Sequence, residues 1–267
     1  MTDPARPRVI VTNDDGIDGE GLWQLAVAAA GAGFDVLVVA PASEASGSAA
    51  AMTAVRVGGR VAIERRELPG PAAAIPAYAM KASPAFIAFT AVHGAFGFRP
   101  RFVLSGINRG PNTGQVVLHS GTVGAALTAA AQGVAAAAFS LDARAAADQC
   151  EWPTAALVAG QVLGVLPDMP AGVVLNVNVP NVPSGRLRGI RRASLASSGA
   201  VQMSIAAPAE GYVEVKMAGP PGEPEPGSDS AALAAGYAAV TPLNGVCEAS
   251  PDGLPWPAAE TAGTRPG

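Results

Sequence analysis

Three short, almost unbroken apolar runs, each leading into a turn, constrain what this chain can fold into. They are Val9-Ile10-Val11-Thr12, residues 34–41 (FDVLVVAP) and Phe102-Val103-Leu104-Ser105. A strand that is apolar at every position is buried on both faces, as in a parallel sheet covered by helices. Between the first two runs, residues 19–30 carry Leu22, Leu25, Ala26 and Ala29 on one helical face, with Gly31 and Gly33 to end it. Strand, helix, strand in that order implies right-handed crossovers. The expected fold class is α/β: a Rossmann-like three-layer α/β/α arrangement with a mostly parallel sheet.

The first run stops abruptly on Asn13-Asp14-Asp15-Gly16. In an open α/β sheet, ligands bind beyond the carboxyl ends of the strands, so Asp14 and Asp15 are expected to project into that crevice. Adjacent carboxylates repel unless a proton or cation lies between them. A hard divalent ion such as Mg2+ or Mn2+ resolves the conflict. The same string is also ordinary turn chemistry, since Asn and Asp bond their own backbone and glycine allows positive φ.

The second strand leads into Ala42-Ser43-Glu44-Ala45-Ser46-Gly47-Ser48 at the same sheet edge. A serine there could assist a metal or a phosphate, although a plain solvated loop explains it too. Over residues 56–67, with Val55, Val57, Val61 and Ile63 alternating with polar residues, the pattern is that of an exposed strand or hairpin. Ser83-Pro84 starts a helix expected to reach Phe96, with His93 late in it and without a catalytic role. The third strand ends in Gly106-Ile107-Asn108-Arg109-Gly110-Pro111-Asn112-Thr113-Gly114, a loop whose backbone N–H groups suit an anion. His119-Ser120-Gly121-Thr122 then precedes a helix over 123–132, with Ser120 or Thr122 as its cap, and a helix N-terminus is a ready phosphate site. Carboxylates for a cation and donors for an anion at one sheet edge point to phosphoester chemistry.

Bulk properties exclude other classes. At 267 residues, 49% hydrophobic and 14% charged, the chain can bury one large core. A net charge of −4 gives no general affinity for nucleic acid. The most apolar stretch, 123–141, is broken by Thr128, Gln132, Gly133 and Ser140 and suits a buried helix followed by a strand, so no membrane association is expected. The first residues lack the apolar segment of a signal peptide. Cys150 and Cys247 match no metal spacing. Together these features give a cytoplasmic expectation.

In the last third, residues 152–166 read as a helix and 173–179 as a strand. Residues 183–227 shift to glycine, proline and short polar segments, with a hairpin strand over 212–215; 231–236 form a short helix and 237–242 the final strand. The expected division is a catalytic core over 1–182, an arm, hairpin and final helix and strand over 183–244, and a flexible tail over 245–267.

These motifs, in this order, resemble the SurE family of metal-dependent nucleotidases. The resemblance rests on the strand followed by Asn13-Asp14-Asp15-Gly16, Ala40-Pro41 with Ser46, residues 105–112 (SGINRGPN) and His119-Ser120-Gly121-Thr122-Val123. Ser83-Pro84-Ala85, Asn176-Val177-Asn178-Val179-Pro180, Gly236-Tyr237 and Val240-Thr241-Pro242-Leu243 extend it over most of the chain. It implies hydrolysis of nucleoside monophosphates, and in some members of short polyphosphate. One divalent ion per subunit, Mg2+ or Mn2+, would be held by Asp14, Asp15, Ser46 and Asn108. The phosphate-side residues fall on Asn112, Ser120, Gly121 and Thr122, and the arm implies a homodimer or homotetramer. The expected catalytic set is Asp14, Asp15, Asn112, Ser120 and Thr122. His119 is a candidate leaving-group acid, although packing beneath the loop is the expectation for it.

Ala49-Ala50-Ala51 stands where the family often carries Gly-His-Ser, and Val116 where many members have Asp; the arginine-rich strand is kept only as Arg188, Arg191 and Arg192. These departures allow an alternative, a relative that binds nucleotide or phosphate without turnover. A phospho-accepting receiver domain would need an aspartate where the third strand ends, and that place holds Ser105-Gly106-Ile107-Asn108.

Overall fold

The computed structural model describes residues 6–144, 149–197, 202–205, 215–218 and 223–248. The first half runs β1 (Arg8–Thr12), α1 (Glu20–Gly31), β2 (Asp35–Pro41), β3 (Ile63–Arg66), β4 (Ala77–Met80), α2 (Pro84–Val92) and β5 (Phe102–Arg109). The second half runs α3 (Gly121–Ala131), β6 (Ala135–Leu141), α4 (Trp152–Leu163), β7 (Val173–Val179), β8 (Ile190–Arg192), β9 (Gln202–Ile205), β10 (Val215–Ala218), α5 (Asp229–Ala234) and β11 (Ala238–Asn244). Nine strands form one sheet in the order β3-β4-β2-β1-β5-β6-β7-β11-β8, while β9 and β10 pair as a separate antiparallel ribbon.

From β4 through β7 every pairing is parallel; β3 joins one edge and β11 the other in antiparallel fashion. α1 and α4 pack together on one face, α2 and α3 on the other. The chain is therefore the three-layer α/β/α fold the apolar runs call for. β1 has β2 on one side and β5 on the other, and this reversal of strand order opens the crevice in which such sheets bind ligands.

The apolar periodicities hold closely. Leu22, Leu25, Ala26 and Ala29 of α1 are all fully buried, as are Val9, Ile10 and Val11 of β1. Elsewhere local chemistry moves boundaries. α2 stops at Val92 because Gly94, at φ +84°, takes the left-handed position that ends a helix. His93 caps that end, its Nδ1 paired with the Phe89 carbonyl at 2.8 Å. The alternating stretch after Thr53 is largely exposed, as its pattern implies: Val55, Val57 and Ile63 face solvent, Val61 is half-buried against the core, and β3 is an edge strand. Its partner β4, Ala-Tyr-Ala-Met, carries no β-branched residue, so pairing with β2 and not propensity makes it a strand. α4 ends at Leu163, and a separate 3-10 turn follows at Leu166–Asp168.

Past residue 182, β8 and β11 extend the same sheet. The hairpin strand expected over 212–215 falls mostly outside the described residues, with β10 starting at its last position. The tail past residue 248 also lies outside them. Among the described residues no helix is long and apolar enough to cross a membrane. Cys150 and Cys247 form no disulfide.

Candidate active site

The crevice is assembled from three strand ends and one helix start. β1 delivers Asp14 and Asp15 on a turn closed by Gly16, whose φ of +95° is costly for any residue with a Cβ. Two backbone bonds stitch that turn to the loop after β2: Ile17 N donates to the Pro41 carbonyl at 2.9 Å and Ala45 N to the Asp14 carbonyl at 2.7 Å. β5 runs past Ser105, with a register shift against β6 between Ser105 and Asn108. At Gly106 (φ +123°) a Cβ would lie 2.2 Å from the Phe139 carbonyl oxygen, so only glycine allows the bulge that aims Asn108 at the crevice.

A cavity of about 290 Å³ results, lined by Asp14, Ser46, Asn108, Asn112 and Ser120 among others. Arg109, Val116 and His119 also border it. His119 is exposed, so it does not pack beneath the loop as expected. Asp15 borders the adjoining hollow, with Arg109 shared between the two, and its Oδ2 accepts from Arg109 N at 3.3 Å. Ser46 turns its hydroxyl to Glu44 Oε1 at 2.8 Å. Asn108 Nδ2 donates to the Gly110 carbonyl at 2.7 Å, which leaves its amide oxygen as the remaining acceptor.

The start of α3 packs directly on Asp14. Ser120 caps the helix, accepting from Val123 N at 3.1 Å. A Cβ on Gly121 would stand 2.7 Å from Asp14 Oδ2 and 2.9 Å from Asp14 Cβ, so this contact requires glycine. Thr122, fully buried, donates its hydroxyl to Asp14 Oδ1 and so faces the aspartate instead of the cavity. Gly124 gives the Ser46 loop equal closeness, since a Cβ there would meet the Ala49 carbonyl oxygen at 2.2 Å.

Electrostatics follow from this packing. Burial raises the Asp14 carboxyl above its usual range, against bonds from the Thr122 side chain and backbone that favour the charged form. Asp15 is pushed up to about 7, first by burial and then by the charge of Asp14. Glu44 adds a smaller push to both. Its place in the loop after the second strand is the sequence signal for this role.

Among the described residues no group of three or more His, Cys, Asp or Glu could hold a metal ion. The donors here are instead two carboxylates, a hydroxyl and an amide oxygen. That all-oxygen set fits a hard Mg2+ or Mn2+ and not Zn2+.

Comparison with known proteins gives the family. The family model for survival protein SurE matches residues 9–202. The chain belongs to the SurE family. Among relatives, the 5′/3′-nucleotidase SurE of Proteus mirabilis (strain HI4320) is 35% identical over 242 residues, covering 89% of each chain. The 5′-nucleotidase SurE of Stenotrophomonas maltophilia (strain R551-3) is 33% identical over 243 residues, covering 88% of this chain and 89% of the other. The crystal structure of the SurE protein from Aquifex aeolicus superposes with a TM-score of 0.72 at 27% identity, covering 89% of this chain and 93% of that one.

Proposed function

We propose that this chain is a divalent-metal-dependent phosphomonoesterase that hydrolyses nucleoside monophosphates at the 5′ or 3′ position. The observation that carries the reading is the meeting of Asp14, Ser46, Asn108, Asn112 and Ser120 around one cavity, with Asp15 beside it and α3 starting on Asp14. Relatives named 5′/3′-nucleotidase supply the substrate class.

Asp14, Asp15, Ser46 and Asn108 would hold one Mg2+ or Mn2+ per subunit. Such an ion, when bound, supplies Lewis acidity to a phosphoryl oxygen and acidity to a water molecule. The chain's own groups do the rest. Thr122 donates to Asp14 Oδ1, a bond that favours the charged carboxylate against the effect of burial. Asn112 gives one amide hydrogen to Ser140 Oγ at 2.8 Å and keeps the other for a phosphoryl oxygen. Ser120 lines the cavity beside it, where charge gathers as the ester bond breaks. His119, exposed at the rim, can deliver a proton to the departing sugar oxygen. The protein is taken to work in the cytoplasm as a homodimer or homotetramer through the β9–β10 ribbon.

Val116 on the cavity wall supports a second reading, nucleotide binding without turnover. Phosphate release from nucleoside monophosphates with Mn2+ or Mg2+, comparing wild type with Asp14→Asn, separates the two. Release by wild type and its loss in the variant is the expected result. Equal release from both contradicts the catalytic site; binding with no release from either favours the second reading.

A further inference from the structure

We propose that Asn176 and Asn178, two fully buried amides on β7, are positioning residues that clamp Asn112 at the cavity. The inference rests on the phosphatase reading above, which gives Asn112 its work.

β7 lies between β6 and β11. A strand so placed is ordinarily apolar throughout, yet Asn176 and Asn178 are 0% exposed. Two residues apart, they share one face with Val174, which belongs to the apolar cluster under α3. A buried amide without partners is costly, so their bonds reveal what they are for. Asn178 Oδ1 accepts from Asn112 N at 2.8 Å, and its Nδ2 donates to the Asn112 carbonyl at 2.9 Å. This is the two-point pairing a neighbouring strand would offer. Asn176 Nδ2 donates to the same carbonyl at 2.9 Å. With the bond from the Asn112 side chain to Ser140, four hydrogen bonds hold one residue.

That residue lies just past the end of β5, in a segment with no regular structure of its own. Loops of that kind are normally the mobile part of a fold. Here side chains from β6 and β7 replace the missing ladder and fix both peptide planes of Asn112. The far end of the segment is tied as well: Gly114 N donates to Asp229 Oδ2 at 2.8 Å, from the start of α5. Asn176 Oδ1 is buried and accepts no hydrogen bond among the described residues, so the hydrogen bond that ties this side chain to the rest of the fold is the one to Asn112.

The test uses Asn178→Asp, which keeps an acceptor for Asn112 N–H and loses the donor to its carbonyl, together with Asn176→Val and the milder Ser140→Ala. With nucleoside monophosphate and saturating Mn2+, kcat is expected to fall by about ten- to a hundredfold while KM changes little. The double variant Asn112→Ala/Asn178→Asp should be no slower than Asn112→Ala alone, since both changes break one device. A variant that folds and keeps the wild-type kcat, or a double-variant loss equal to the product of the single losses, overturns the proposal. Hydrogen exchange at the Asn112 amide reads the clamp without catalysis: slow in wild type, fast in Asn178→Asp. Fast exchange in wild type also overturns it. If wild type shows slow exchange but releases no phosphate, the hydrolytic reading falls and the clamp stands as a feature of a binding site.

Discussion

Thr122→Val is the sharpest test of how the site holds its charge. The change keeps the volume of a fully buried side chain and removes only the hydroxyl that donates to Asp14 Oδ1. A hydrogen bond to an ionised group contributes about 1.5–3 kcal/mol net. Its loss should therefore lift the Asp14 carboxyl further above its usual range. The sign follows from the existing shift. Asp14 already titrates above its usual range, so without a cation the native state keeps a proton that the unfolded state releases. Stability contributed by this group therefore falls as pH rises from the usual carboxylate range through the raised one, and the substitution extends that fall upward. At the low-pH end of that fall, where the carboxyl is neutral in the fold, the variant should lose only about 1 kcal/mol, the worth of a neutral bond. At the high-pH end, where the carboxyl is charged, the loss should approach the full charged value. Urea unfolding in chelator at the two pH values measures this, and the acid limb of kcat/KM for nucleoside monophosphate should move up with it. Equal destabilisation at both pH values with an unmoved acid limb would refute the assignment of Thr122 to the ionised aspartate.

Gly121→Ala places a methyl 2.7 Å from both Asp14 Oδ2 and Ser48 Oγ. Thermal unfolding should show a loss of about 1–3 kcal/mol despite alanine's gain of about 1 kcal/mol in helix propensity, with hydrolysis impaired more than the fold. Because Asp15 titrates near pH 7, binding of Mg2+ or Mn2+ at pH 6.5 should expel a proton. Calorimetry in buffers of different ionisation heat counts it, and a count of zero would show that the ion does not meet this carboxylate. Glu44→Gln removes the charge that pushes both aspartates up, so the acid limb should shift to lower pH. A shift the other way would place Glu44 in a different role.

What was legible in the sequence is what depends on local pattern. β1, α1, β2 and β7 follow from apolar spacing, and Ser83 and Ser120 cap the helices they precede. The cavity members Asp14, Ser46, Asn108, Asn112 and Ser120 follow from strand ends plus family resemblance. What stayed hidden depends on contacts between distant segments. No local signal tells that Gly21 must be glycine because a Cβ would lie 1.9 Å from the Ile107 carbonyl oxygen. Nor does spacing show that Thr122 serves Asp14, or that the asparagines of a central strand grip a loop. β4 was missed because pairing with β2, not side-chain propensity, makes it a strand.

The tie from Gly114 to Asp229 spans 115 residues, and β7 is covered on its outer side by β11. The cavity is therefore a long-range assembly: its aspartates directly follow β1, while the loop opposite is anchored by side chains 64 to 115 residues further along the chain. A chain cut before Asp229 would keep both aspartates and lose the tie at Gly114.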